Sequence, residues 1–312
     1  MNAAVQMVKV KKTYGKNITA IQDLSLIIEE GKIYALLGPN GSGKTTTVRI
    51  LTTLASADAG EIYYFGSPQI NKKMIGCVAQ NSGVDPMGTG RENLMLQGRI
   101  YGLRGEALRE RVHELLTGFH LLKDADRLSK HYSGGMRRKL DLAMGIIHRP
   151  RLLFLDEPTT GLDPESRADL WQTIKQLQRE HGMTVVLTTH YMEEADELAD
   201  RIAFMNEGTI VAEGTAEEMK SKVGGDTITI QCREPQIAAQ ILEPIYPTQQ
   251  LNHQDDSTLH VITDKGAEKL PDIIRLLEEK HVTVNSIAVA RPDLGDVYLL
   301  YTGKMLRKDG ES

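Results

Sequence analysis

Four short apolar runs punctuate the first two-thirds of the chain: Ile33–Leu37, Leu152–Leu155, Val185–Leu187 and Ile202–Met205. Each is too short for a buried helix and lacks the polar alternation of a half-exposed strand, so they predict strands covered on both faces, as in a parallel sheet. Helical periodicity fills the gaps. Leu108, Val112, Leu115, Leu116 and Phe119 line one face of a helix predicted over 105–119. Thr89 and Glu92 have capping-box spacing ahead of a helix at about 93–101. The stretch from about 85 to 148 is therefore mainly helical, a subdomain inserted between strands. Asp163-Pro164-Glu165 reads as N-cap, first helical residue and acidic first turn of a helix that Gly182 closes. A boundary falls near Val223-Gly224-Gly225. Beyond it 227–231, 259–263 and 282–289 predict strands, and 236–242 and 267–280 helices. The expected architecture is an α/β core over 1–222 and a small α+β domain over 226–305.

Composition sharpens this picture. At about 150 residues per domain, 312 residues favour two domains. With 40% apolar and 25% charged residues, the chain has enough apolar content for a packed core. Forty-two acidic against 37 basic residues leave a net charge of -5, which argues against a general nucleic-acid binder. Cys77 and Cys232 lie far apart, so no disulfide framework or CxxC metal site is indicated, and a reduced cytoplasmic setting fits. No run reaches the ~18 apolar residues of a membrane span. Lys9, Lys11 and Lys12 are followed by no apolar stretch of signal-peptide type. Work at a membrane would need a partner to carry the chain there.

The candidate chemistry is concentrated in a few segments. Gly38-Pro39-Asn40-Gly41-Ser42-Gly43-Lys44-Thr45 matches GxxxxGK[ST] in full, between the apolar run 33–37 and a helix predicted from Thr46 to Leu54. Glycines there let backbone N–H groups wrap a polyphosphate. The helix N-terminus adds a favourable dipole, Lys44 a point charge and Thr45 an oxygen for Mg²⁺. The run 152–155 delivers Asp156 and Glu157 where an open α/β sheet places its ligand crevice. Asp156 suits a Mg²⁺ shell. Glu157, next along an extended strand, points the other way and could polarise a water. His190 follows the strand 184–189, and Ser133-Gly134-Gly135-Met136 precedes a helix at about 137–147, where an anion could sit.

The order of these motifs, with Gln80 after a strand and Gly161-Leu162-Asp163 after the carboxylates, resembles the ATP-binding subunits of ABC transporters over about residues 5–220. The resemblance implies a P-loop NTPase core in which Ser133, Gly134, Gly135 and Met136 of one protomer close over ATP held by the phosphate loop of another. It makes Glu157, His190 and Lys44 catalytic, and gives Mg²⁺ to Thr45, Gln80 and Asp156. Gln80 also faces the permease, Asp163 links the two sites, and Tyr14 stacks on adenine. The signature departs from Leu-Ser-Gly-Gly-Gln at Tyr132 and Met136. The stretch 132–141 followed by 155–163, and the tail Pro292-Asp293-Leu294-Gly295-Asp296-Val297-Tyr298, look like the daunorubicin-resistance type. That implies a homodimer or paired ATP-binding subunits at the cytoplasmic face of the membrane, serving a separate permease that exports drugs, antibiotics or lipid-linked molecules. The alternatives are a soluble ABC ATPase acting on ribosomes or DNA, and a nucleotide-gated regulator. One phosphate loop, about 110 residues without heptads between Thr45 and Asp156, and the presence of Glu157 and His190 favour the transporter.

Overall fold

The computed structural model describes residues 2–15, 18–246, 251–255 and 257–302; the expected end of the second domain at residue 305 lies outside them. The chain forms two compact units, Met1–Thr215 and Ala216–Ser312. In the first, all four apolar runs become strands of one six-stranded sheet. Its order is β5 (Ile75–Val78), β6 (Leu152–Asp156), β7 (Thr184–Thr189), β3 (Ile33–Leu37), β8 (Arg201–Asn206) and β9 (Thr209–Gly214). The sheet is parallel except for the β8–β9 hairpin. Every residue of β3, β6 and β7 is buried, which is why their sequences carry no polar alternation.

A second sheet, order β2–β1–β4, is antiparallel and built from β1 (Ala3–Tyr14), β2 (Ile18–Glu29) and β4 (Ala59–Tyr64). Its inward residues Val5, Met7, Leu26 and Ile28 share a core with Tyr34, Leu36, Phe154 and Val186, into which α1 (Lys44–Leu51) contributes Val48 and Leu51. Between β5 and β6 come α2 (Gly90–Ile100), α3 (Gly105–Gly118) and α4 (Gly134–Gly145), the inserted helical subdomain. The Thr89–Glu92 capping box is complete in both directions, so α2 starts at Gly90 rather than 93. Likewise α4 begins directly after its N-cap Ser133 and not at 137. Asp163 caps α5 (Pro164–His181), which ends on Gly182 at φ 59°, and α6 (Met192–Leu198) follows β7.

The second unit contains α7 (Ala216–Lys220), β10 (Asp226–Cys232), α8 (Pro235–Leu242), β11 (Leu251–Asp255), β12 (Thr258–Thr263), α9 (Gly266–Glu279), β13 (Val284–Ala290) and α10 (Leu294–Thr302). Its sheet is antiparallel in the order β11–β12–β10–β13, the ferredoxin-like βαββαβ arrangement. Ile228, Ile230, Leu259, Val261, Ile273 and Leu277 form its core. The division comes at Thr215, before the diglycine, because α7 packs on α10: Met219, Val297 and Tyr298 are all buried.

Phe154 lies fully buried at the centre of the first unit's core. Phe154→Ala is expected to lower the unfolding free energy by about 3–5 kcal/mol in chemical denaturation, the usual cost of an aromatic-sized void.

Candidate functional site

Strand order brings the chemistry together. Leu37 pairs with Thr189 across β3 and β7, and Asp156 pairs with Thr188 across β6 and β7. Three neighbouring C-terminal strand ends therefore deliver the phosphate loop, the two carboxylates and His190 to one edge of the sheet, the usual ligand crevice of such sheets.

The loop is tightly held. Gly38 N–H donates to Thr189 O at 3.3 Å, and Gly208 N–H donates to Ser42 O at 3.0 Å. A Cβ on Gly38 would stand 2.2 Å from Met205 O, and one on Gly43, which has φ 105°, 2.5 Å from Ala20 O. No side chain could occupy either place without moving backbone. Lys44 begins α1 and is only 4% exposed; its Nζ donates to Gly38 O at 2.8 Å and Pro39 O at 2.9 Å. Burial lowers its pKa, against the opposing pull of Glu157 and Asp156. Pro39, Asn40 and Gly41 form the outer turn, with Asn40 and Gly41 exposed, and Thr46 is half-buried on the first turn of α1. The N-terminus of α1 has no side-chain cap, and the buried Ser42 Oγ has no hydrogen-bond partner among the described residues. These donors suit an anion.

Asp156 ends β6 and accepts from Thr188 Oγ1 at 2.6 Å and Thr45 Oγ1 at 3.2 Å. Glu157 does not continue the strand as the sequence predicted. It turns into the left-handed region at φ 47°, and its N–H bonds to Thr188 O (3.1 Å) and Thr188 Oγ1 (3.0 Å). Its Oε2 accepts from Gln80 Nε2 and from Thr160 Oγ1, both at 3.2 Å, and its Oε1 lies 3.4 Å from His190 Nδ1. The His190 contact, with Lys44 and Thr160 adding to it, holds the carboxyl below the usual glutamate range despite partial burial. Glu157 is thus ionised at neutral pH.

The remaining predicted residues stand in two other places. Ser133 caps α4, its Oγ accepting from Met136 N–H at 3.2 Å, with Gly134 exposed and Gly135 packed so that a Cβ would meet Ser166 Oγ at 2.8 Å. Asp163 accepts from Ser166 N–H (2.9 Å) and Oγ (2.7 Å), bonds that hold its pKa down. The signature and the Asp163 loop are therefore neighbours through Ser166, and no hydrogen bond joins either to the phosphate loop among the described residues. Tyr14, at the end of β1, is 36% exposed with Lys12 Nζ 5.4 Å from its ring centre.

Sequence reasoning missed Thr160, Thr188 and Arg138. Thr188 sits in an apolar strand and read as core. Arg138 lies on α4 and donates to Ala79 O, Asp156 O, Glu157 O and Pro158 O, partners that only the fold assembles.

The ABC transporter family profile matches residues 21–160. Over nearly the full chain, the protein is similar to the daunorubicin resistance ATP-binding protein DrrA3 of Streptomyces coeruleorubidus, with 40% identity covering 97% of this chain and 96% of that one. The chain belongs to the ABC transporter ATP-binding family. It is an ATP-binding and ATP-hydrolysing subunit of the class that powers a separate permease. The linearmycin resistance ATP-binding protein LnrL of Bacillus subtilis is 37% identical, covering 97% of this chain and 99% of that protein. Among solved structures, an ATP-binding cassette seen as a dimer in a post-hydrolysis state with ADP and phosphate superposes with TM-score 0.61 at 29% identity, covering 68% of this chain and 98% of that one.

Gly43→Ala tests the tightness of the loop. With φ 105° and Ala20 O at 2.5 Å from the new Cβ, unfolding free energy should fall by at least about 1–3 kcal/mol, measured by denaturant titration.

Proposed function

We propose that the chain works as half of an ATP-driven dimer, in which the phosphate loop of one copy and the signature of the other together enclose each ATP. The supporting observation is the separation within one chain. Lys44, Ser42, Thr45, Asp156, Glu157, Gln80 and His190 converge on one edge, whereas Ser133 and the glycines after it make no hydrogen bond to the loop among the described residues. Each chain thus carries two half-sites, and a second copy completes both.

On ATP binding, Lys44 exchanges its carbonyl partners for β- and γ-phosphate oxygens, and Ser42 Oγ and the first N–H groups of α1 take the remainder. Tyr14 offers a ring for the adenine. Mg²⁺ would be held by Thr45 and Asp156, with Gln80 nearby, and would offset phosphate charge; it commonly takes one or two carboxylates and keeps the rest of its shell as water and phosphate. Glu157 orients the attacking water and accepts its proton, with His190 and Gln80 fixing its two oxygens. Across the interface, Ser133, Gly134, Gly135 and Met136 present the N-terminus of α4 to the γ-phosphate. Asp163, tied to Ser166 beside the signature, relays between the two sites.

The named relatives are resistance proteins, which supports export of a drug or antibiotic and gives no support to a ribosome- or DNA-acting ATPase. No helix among the described residues is long and apolar enough to cross a membrane, so the chain would reach the cytoplasmic face through its permease.

Glu157→Gln tests the assignment. It preserves size but loses charge, so hydrolysis should fall at least ~10²-fold while ATP binding persists. Sedimentation should show this variant dimeric with ATP and Mg²⁺, monomeric with ADP, and monomeric with ATP once Ser133→Arg fills the phosphate seat. Wild-type hydrolysis in Glu157→Gln would remove Glu157 from its role. Lys44→Ala should abolish turnover and weaken ATP binding in a direct titration; retention of both would displace Lys44.

A further inference from the structure

Arg138 is an arginine with 8% exposure on a helix that begins at the signature, five residues after Ser133. Its nearest carboxylate oxygen, Asp141 Oδ2, is 4.0 Å from Nη1, too far for a hydrogen bond. The guanidinium instead spends its donors on backbone carbonyls. Nε donates to Pro158 O at 2.7 Å, Nη1 to Ala79 O at 2.8 Å, and Nη2 to Asp156 O and Glu157 O at 3.2 and 3.3 Å. Those carbonyls have a common theme. Asp156 O and Glu157 O flank the one non-glycine residue of the site whose backbone is left-handed, a conformation that a glutamate keeps only when its surroundings impose it. Ala79 O immediately precedes Gln80, whose amide bonds to Glu157 Oε2. The same helix grips the far side of that segment, because Asp141 Oδ1 accepts Gly83 N–H at 2.9 Å.

We propose that Arg138 is a positioning residue: from the signature helix it holds the Asp156–Pro158 turn and the Gln80 segment of its own chain, and so sets the Glu157 carboxylate on the attacking water. This rests on Glu157 being the water-activating group and on the two-chain site. The consequence is a link between the sites of a dimer. The helix whose N-terminus covers the partner's ATP also sets the catalytic turn beside its own. A lysine keeps the charge but cannot bridge four carbonyls from a planar fork.

A merely structural role would weaken the signature and so slow the partner's site; a positioning role slows the chain's own site. Tandem-tagged mixed dimers separate the two. In one arrangement Arg138→Gln is on one chain and Glu157→Gln on the other, so the only intact Glu157 lacks its Arg138. In the second, both substitutions share one chain opposite a wild-type chain. The account expects turnover in the first to fall at least ~10-fold below that of a dimer carrying Glu157→Gln on one chain alone, with KM for ATP changed less than about twofold. The second should match that reference. Equal slowing in both arrangements, slowing only in the second, or no slowing in either would overturn the proposal. Arg138→Lys in place of Arg138→Gln should give the same pattern; full rescue by lysine would show that charge suffices and would also overturn it. Wild-type turnover of the Glu157→Gln homodimer would instead defeat the underlying reading, leaving a result distinct from failure of the Arg138 role.

Discussion

The parallel pairing of β7 with β6 on one side and with β3 on the other is the constraint on which the chemistry depends. Because all three strands end at the same level, a phosphate-binding loop, an acidic pair and a histidine meet without any long loop having to reach. Thr188 makes the arrangement specific. From the middle strand its hydroxyl donates to Asp156 and accepts the Glu157 N–H, so one side chain fixes the carboxylate and starts the turn that swings the next residue away from the strand. Burying polar groups this deeply is tolerable only when each has a partner. Lys44 satisfies itself on two loop carbonyls, and Ser42 Oγ, without a partner among the described residues, is left for the phosphate in the proposed complex.

Two consequences follow for catalysis. The acidic pair sits in two environments, which suits the two roles proposed for it: Asp156 is tied to hydroxyls beside the phosphate loop, while Glu157 faces the histidine, the glutamine and Thr160. Hydrogen bonding and nearby positive charge hold Glu157 in its ionised form, the state a base needs before a water arrives. In the proposed dimer the signature, by contrast, serves the ATP held by the partner's phosphate loop. Its Gly135 sits against Ser166, which Asp163 ties to the start of α5, so closure on a partner would press directly on that loop.

Much of this was legible in the residues for definite reasons. Strands buried on both faces need unbroken apolar runs, and the phosphate loop needs its glycines and lysine at fixed spacing. Capping residues announced α2 and α5. The three-stranded sheet was not foreseen, because its long strands are irregular: Lys9 and Asp23 take positive φ and the β1–β2 register shifts, which scrambles the two-residue alternation. Glu157 was expected on an extended strand because a left-handed glutamate leaves no mark in sequence. Arg138 was invisible for a related reason: its partners are carbonyls from separate segments, and carbonyls carry no residue identity. The pairing of signature with a second chain came from motif order and family resemblance, not from periodicity.

The most direct measurement of the central claim is a crosslink between half-sites. Asn40→Cys on one chain and Ser133→Cys on another, both with Glu157→Gln and with the exposed Cys77 replaced by serine, would be mixed and treated with a short bifunctional thiol reagent; the buried Cys232 stays. The account predicts a covalent heterodimer with ATP and Mg²⁺ and little with ADP. A crosslink that forms equally with either nucleotide, or fails to form while ATP is bound, would contradict a site completed by the partner's signature.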